Sequence, residues 1–158
     1  MPDIKTQRKT YRHTKATHIF FHVHQTPYSC INEDMKKILI VDDKEDIRDM
    51  LADFLTNAGH EVETCAEGGS AFQQANQSPY SLVISDLIMP GTNGFELVKL
   101  LKEESKYNKD SPIIIMTGGS TSFDFQDNVI KLEQKGCKIL RKPFTKDQFI
   151  ETVTKALS

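Results

Sequence analysis

Five times between residues 35 and 158 the chain passes from a short apolar run, too brief for a helix, into a segment of helical period. The first run is Ile38-Leu39-Ile40-Val41, set off by Lys36-Lys37. Four apolar residues without alternation predict a strand buried on both faces. From Lys44 the period changes. Ile47, Met50, Leu51, Phe54 and Leu55 form one stripe at helical spacing, and Gly59 follows as a helix-ending residue. Glu61 to Cys65 alternates as a second strand, and Gly68-Gly69 opens a brief amphipathic segment through Ala71, Phe72 and Ala75 that Pro79 closes. Ser81 to Ser85 is the third strand, ending at Asp86; after the loop from Met89 to Gly94 a helix is expected from about Phe95 to Glu104, with Phe95, Val98 and Leu101 facing one way. Pro112 introduces the fourth strand, Ile113 to Met116, which Thr117 ends. Residues 121–135 carry a weaker helical pattern in Phe123, Phe125, Val129, Ile130 and Leu132. Cys137 to Leu140 is the fifth strand, and Thr145 with Gln148 forms a capping-box pattern before Phe149, Ile150, Val153 and Leu157.

Strands alternating with helices predict an α/β domain: a doubly wound parallel sheet covered on both faces, joined by right-handed crossovers. In such open sheets the site lies beyond the carboxyl ends of the strands. That rule selects Asp42 and Asp43 after the first strand, Asp86 after the third, Thr117 after the fourth and Lys142 after the fifth. Carboxylates gathered on one rim repel each other, and a hard divalent ion resolves the conflict. Mg²⁺ takes one or two carboxylates, keeps several waters and accepts a phosphate oxygen. Lys142 supplies a compact charge for phosphate, and Thr117 a hydroxyl hydrogen bond to the same group. Each residue alone reads equally as a cap, a turn residue or a solvated charge; their joint placement carries the functional reading.

Composition bounds the rest. A chain of 158 residues with formal net charge −2 has room for one domain and no overall attraction to nucleic acid or membrane. No apolar run reaches the ~20 residues of a membrane helix, and the stretch from Ile19 to Val23 is too short for a secretory core. Cys30, Cys65 and Cys137 are odd in number and unpaired in spacing, as expected of reduced thiols in a cytoplasmic protein. Residues 1–34 hold five basic and three acidic groups, the remainder 15 and 19, so a leader of +2 precedes an acidic domain of −4. The leader shows no sustained period. It is expected to be a disordered extension, or sequence upstream of a biological start at Met35. Its histidines His13, His18, His22 and His24 have no Cys pair or acidic partner to complete a metal site.

Residues 36–157 resemble the receiver domain of two-component response regulators. The motifs stand here as Ile-Leu-Ile-Val-Asp42-Asp43, Asp86-Leu-Ile-Met89-Pro90-Gly91-Thr-Asn-Gly94, Met-Thr117-Gly118 and Lys142-Pro143-Phe144. The resemblance implies a flavodoxin-like sheet of order 2-1-3-4-5 with five helices. It implies that Asp86 accepts a phosphoryl group from a phosphohistidine on a histidine kinase or phosphotransfer protein. Mg²⁺ would then be held directly by Asp43, through water by Asp42, by Asp86, and by the backbone carbonyl of Ile88. Thr117 and Lys142 would contact the phosphoryl group, and Pro143 would be cis. Catalysis would be limited to the chain's own phosphorylation and dephosphorylation. Output would be a change in affinity for a downstream effector protein, as in a stand-alone receiver with no nucleic-acid or membrane contact.

Three departures from that pattern stand out. Gly118 replaces the usual Ala, Ile139 replaces an aromatic switch residue, and the 25 residues from Thr117 to Lys142 are slightly more than usual. Other readings are a haloacid-dehalogenase-type phosphatase, a flavodoxin-like nucleotide binder, and a receiver retained only for docking. The first lacks Asp-x-Asp after strand one, the second lacks a Gly-rich loop there, and every active-site residue type being present speaks against the third.

Overall fold

The computed structural model describes residues 35–118 and 123–158, with side chains placed for all of these except residues 123–125. The expectations for residues 1–34, and for the side chains of Phe123 and Phe125, lie outside the described residues. Ten elements alternate without exception: β1 (Lys37–Val41), α1 (Glu45–Asn57), β2 (Glu61–Cys65), α2 (Gly68–Ala75), β3 (Leu82–Asp86), α3 (Gly94–Glu104), β4 (Ile113–Thr117), α4 (Phe123–Gln134), β5 (Lys138–Arg141) and α5 (Lys146–Leu157). All strand pairs are parallel, in the order β2-β1-β3-β4-β5. The flavodoxin-like architecture is therefore the one expected.

The sheet divides the apolar interior in two. Ile38, Ile40, Ile84, Ile114 and Met116 face α1 and α5, where Leu51, Leu55, Phe149 and Val153 complete one core. Leu39, Val41, Val83, Ile113 and Ile115 face the other way, against Ala71, Ala75, Leu97, Val98, Leu101, Val129 and Leu132. Alternate residues of each central strand thus feed opposite cores, which is why these strands read as unbroken apolar runs.

Local chemistry sets the element ends. Gly59 takes φ +89° just past α1, and Gly136 takes φ +82° past α4, where a side chain would be strained. Thr145 caps α5 as anticipated: its hydroxyl accepts from the Gln148 amide, and Gln148 returns the bond to the Thr145 amide. Asn93 and Glu96 make the same reciprocal pair at α3. Two expectations need correcting. In α3 Val98 and Leu101 are buried as expected, but Leu97 joins them and Phe95 is only half-buried; among the described side chains of α4, Val129 and Leu132 are buried and Ile130 is exposed. Both segments held more apolar residues than one helix face can cover, so spacing alone did not rank them. No helix among the described residues is long and apolar enough to cross a membrane.

Candidate functional site

Register brings the expected residues to one rim. Val41 lies opposite Ser85 and Asp86 opposite Met116, so Asp42 follows β1 level with the end of β3. Thr117 is paired with Arg141, so Lys142 emerges beside the end of β4. Backbone hydrogen bonds continue past the ladder: the Leu87 amide donates to the Met116 carbonyl (2.8 Å) and the Lys142 amide to the Thr117 carbonyl (2.7 Å). The Lys142–Pro143 peptide is cis.

The centre of the site is the Lys142 ammonium. It donates to Asp86 Oδ1 at 2.7 Å and to Asp42 Oδ2 at 3.1 Å, bridging two acids that are 44 residues apart in the chain. The Asp42 side chain is fully buried, that of Asp86 is 12% exposed and that of Lys142 25%. Burial pulls the Lys142 ammonium down, but hydrogen bonds and charge from Asp86, and then from Asp42, outweigh it and leave it above its ordinary value. One cation against two carboxylates leaves the buried cluster with a formal charge of −1.

The other oxygens are also held. The Ile88 amide donates to Asp86 Oδ2 (3.2 Å), the Lys44 amide to Asp42 Oδ1 (3.0 Å), and the Ser85 hydroxyl to the Asp86 carbonyl (2.9 Å). Both oxygens of Asp86 are therefore fixed, one by Lys142 and one by the loop that follows. Arg48, on the first turns of α1, donates to the Asp42 carbonyl at 2.7 Å. It was not anticipated; a basic residue six positions after Asp42 has no distinctive sequence signal.

Asp43 is exposed and stands apart from the Lys142 bridge, making no hydrogen bond or ion pair among the described residues. Thr117 is fully buried at the last position of β4, and Ile88 is 64% exposed. Among the described residues no three His, Cys, Asp or Glu side chains form a group suited to holding a metal. The expected convergence of three carboxylates is thus a buried pair, Asp42 and Asp86, with a third acid at the mouth. The fit to a divalent ion rests on donor chemistry: the side-chain donors of Asp42, Asp43 and Asp86 are all hard oxygens, and the pair retains negative charge beside an exposed carboxylate. That suits an ion that keeps most of its waters and takes few protein ligands.

The loop from Leu87 to Asn93 is held tightly. The Gly94 amide donates to the Leu87 carbonyl (3.0 Å), closing the loop on itself. A side chain at Gly94 would fall inside the Asp86 carbonyl oxygen and 2.9 Å from Leu87 Cα. Gly94 is therefore required by backbone contact with the very residue that carries the central carboxylate.

Comparison with known proteins gives the family. The sequence model described as the response regulator receiver domain matches residues 38–154. The chain is 35% identical over 112 residues to the uncharacterized transcriptional regulatory protein YrkP of Bacillus subtilis, covering 71% of this chain and 45% of that protein. It is 30% identical over 123 residues to the response regulator receiver protein CpdR of Brucella abortus, covering 78% of this chain and 98% of that one. Among solved structures, the chemotaxis response regulator CheY4 of Vibrio cholerae superimposes with a TM-score of 0.68 at 36% identity, covering 78% of this chain and 99% of CheY4. Several curated relatives, YrkP among them, are about twice as long as the stretch this chain matches. From β1 into α5, sequence and fold agree: the chain belongs to the response regulator receiver domain family of two-component signalling.

Proposed function

We propose that this chain is a phosphorylation switch in which Asp86 accepts a phosphoryl group from a phosphohistidine on a histidine kinase or phosphotransfer protein. The supporting observation is the Lys142 bridge, which orients one oxygen of a carboxylate that keeps an exposed edge. Asp42 is fully buried and out of reach of a donor, and among the described residues Asp43 has no cation to orient it. Asp86 alone combines access with orientation.

An oxygen of Asp86 attacks phosphorus, a new O–P bond forms, and the P–N bond of the donor breaks, returning the electron pair to the imidazole. Lys142 stays charged through this step and offers its ammonium to the oxygens on which charge accumulates. The Ile88 amide and the closed loop hold the carboxylate plane while attack occurs. Thr117, at the end of the neighbouring strand, supplies a hydroxyl to the acyl phosphate. Mg²⁺, held by Asp43, Asp86 and the Ile88 carbonyl with Asp42 behind a bound water, would neutralise the phosphoryl oxygens.

The product carries roughly two negative charges where Lys142 formerly met the single charge of Asp86. Redistribution of that ammonium changes the end of β4, and a binding surface for an effector protein follows as a shift in population. The only chemistry in this reading is formation and hydrolysis of the chain's own acyl phosphate. The test is incubation with acetyl phosphate and Mg²⁺ followed by intact-mass measurement. One added phosphoryl group is expected for the wild type and none for Asp86→Ala; an unmodified wild-type chain would refute the proposal.

A further inference from the structure

We propose that Gly68, at the start of α2 and outside the phosphorylation site, is a positioning residue for the loop from Leu87 to Asn93. The inference rests on the reading of Asp86 as phosphoacceptor and of the Ile88 carbonyl as a metal ligand. That loop is anchored at its two ends, by Leu87 to the Met116 carbonyl and by Gly94 to the Leu87 carbonyl. Between these ends Gly91 turns the chain at φ +70° with no atom near its side-chain position. The third anchor is α2.

Gly68 is buried, and a side chain built on it would overlap the Thr92 carbonyl oxygen and lie 3.0 Å from Thr92 Cγ2 and 3.1 Å from Thr92 Cβ. The obstructing atom is backbone, so no rotamer change relieves it. The α2 backbone therefore lies directly on the loop backbone, with the Thr92 carbonyl beside a first turn that the Glu67 side chain does not cap. A partial negative charge is favourable at that end of a helix. Leu87 and Met89, from the same loop, are buried in the core that Ala71 and Ala75 of α2 help to form. Moving Thr92 outward would drag these residues and the Ile88 backbone between them.

Gly69 provides an internal control. It is the next residue of the same helix, yet a side chain there would meet only Thr92 Oγ1, at an ordinary 3.7 Å. The same Gly→Ala change, with the same gain in helix propensity, is therefore obstructed at 68 and accommodated at 69.

The experiment uses the full chain and Mg²⁺ as the probe. Amide shifts of residues 87–93 are recorded by NMR in metal-free protein, then followed through a Mg²⁺ titration, and the initial rate of phosphorylation by acetyl phosphate is measured at saturating Mg²⁺. For Gly68→Ala the metal-free shifts of the loop should move, the Mg²⁺ Kd should rise about fivefold or more, and the rate should fall about as much. Gly69→Ala should match wild type in all three. If Gly68→Ala melts below the assay temperature, Thr92→Gly replaces it; removing Cβ and Cγ2, the side-chain part of the contact with α2, should free the loop and weaken Mg²⁺ binding without added bulk. A Gly68→Ala or Thr92→Gly protein with a lowered melting temperature but wild-type Kd and rate would make the glycine merely structural and overturn the inference. Failure of the wild type itself to bind Mg²⁺ or take up phosphate would instead overturn the reading of the site.

Discussion

Replacing Asn108 by Ala should be strongly destabilising, and should be so without touching the chemistry. Asn108 is fully buried at the end of the sheet opposite Asp86. Its Oδ1 accepts from the Tyr80 amide (2.7 Å), and its Nδ2 donates to the carbonyls of Ala75 (2.6 Å) and Ser78 (3.0 Å). One side chain thus ties the end of α2, the entry to β3 and the α3–β4 loop. The Ser111 hydroxyl gives its one proton to the Tyr80 carbonyl (2.9 Å) and is unaffected by truncation, so three backbone groups lose their partner. Each costs about 1–3 kcal/mol if it stays dry. With partial relief by water, the expected loss is about 3–4 kcal/mol, or roughly 10–15 °C of melting temperature for a domain of this size. The chain has no Trp, so circular dichroism is the natural readout. The Asn108→Ala protein should react with acetyl phosphate at close to the wild-type rate well below its melting point. A cooperative melt displaced by less than about 4 °C would show that water replaces the side chain almost fully, and the reasoning would be wrong.

Three further outcomes are expected. Lys142→Met leaves Asp42 and Asp86 without their shared cation, so it should slow phosphorylation about tenfold or more, and Mg²⁺ should raise its melting temperature more than it raises the wild type's; equal metal-induced shifts would count against the bridge as a charge-balancing device. Gly118→Ala has nothing within 4 Å of the added methyl, so it should stabilise the fold by about 0.4–1 kcal/mol, and a lower melting temperature would contradict this. Glu63 is held below its ordinary 4.5 by hydrogen bonds from Lys37 and then Tyr80, so its stabilising contribution is present above that pH and is lost as pH falls through the lower folded-state value. Glu63→Gln should therefore flatten the acid limb of a stability-versus-pH curve, and an unchanged limb would remove Glu63 from the account.

Strand positions and the rim residues were legible because each depends on a local pattern plus one topological rule, whereas strand order came only with the resemblance to the receiver family. Ile38-Leu39-Ile40-Val41 cannot be mistaken for a half-exposed strand, and once the strands were placed, Asp42, Asp86, Thr117 and Lys142 fell on a common edge. What escaped was whatever depends on three-dimensional neighbours. Asn108 sits in an ordinary polar loop, Tyr107 to Ser111, and nothing there announces a buried keystone. Arg48 reaches a backbone carbonyl across a turn of helix. Gly68 and Gly69 are indistinguishable in sequence and differ only in where Thr92 lies. Asn93 with Glu96 is a different kind of miss: it has the same spacing as Thr145 with Gln148, but Gly94 inside the pattern made it read as loop alone.

The backbone bond from the Lys142 amide to the Thr117 carbonyl bears on how such a chain can change over time. It splices two residues that are 25 positions apart into neighbouring rungs, so their spacing in the chain is irrelevant to their spacing at the rim. Whatever is added or removed between them is absorbed by the crossover through α4. Lineages can therefore lengthen or recut that crossover, and the surface it presents, while the chemistry at the strand ends keeps its dimensions.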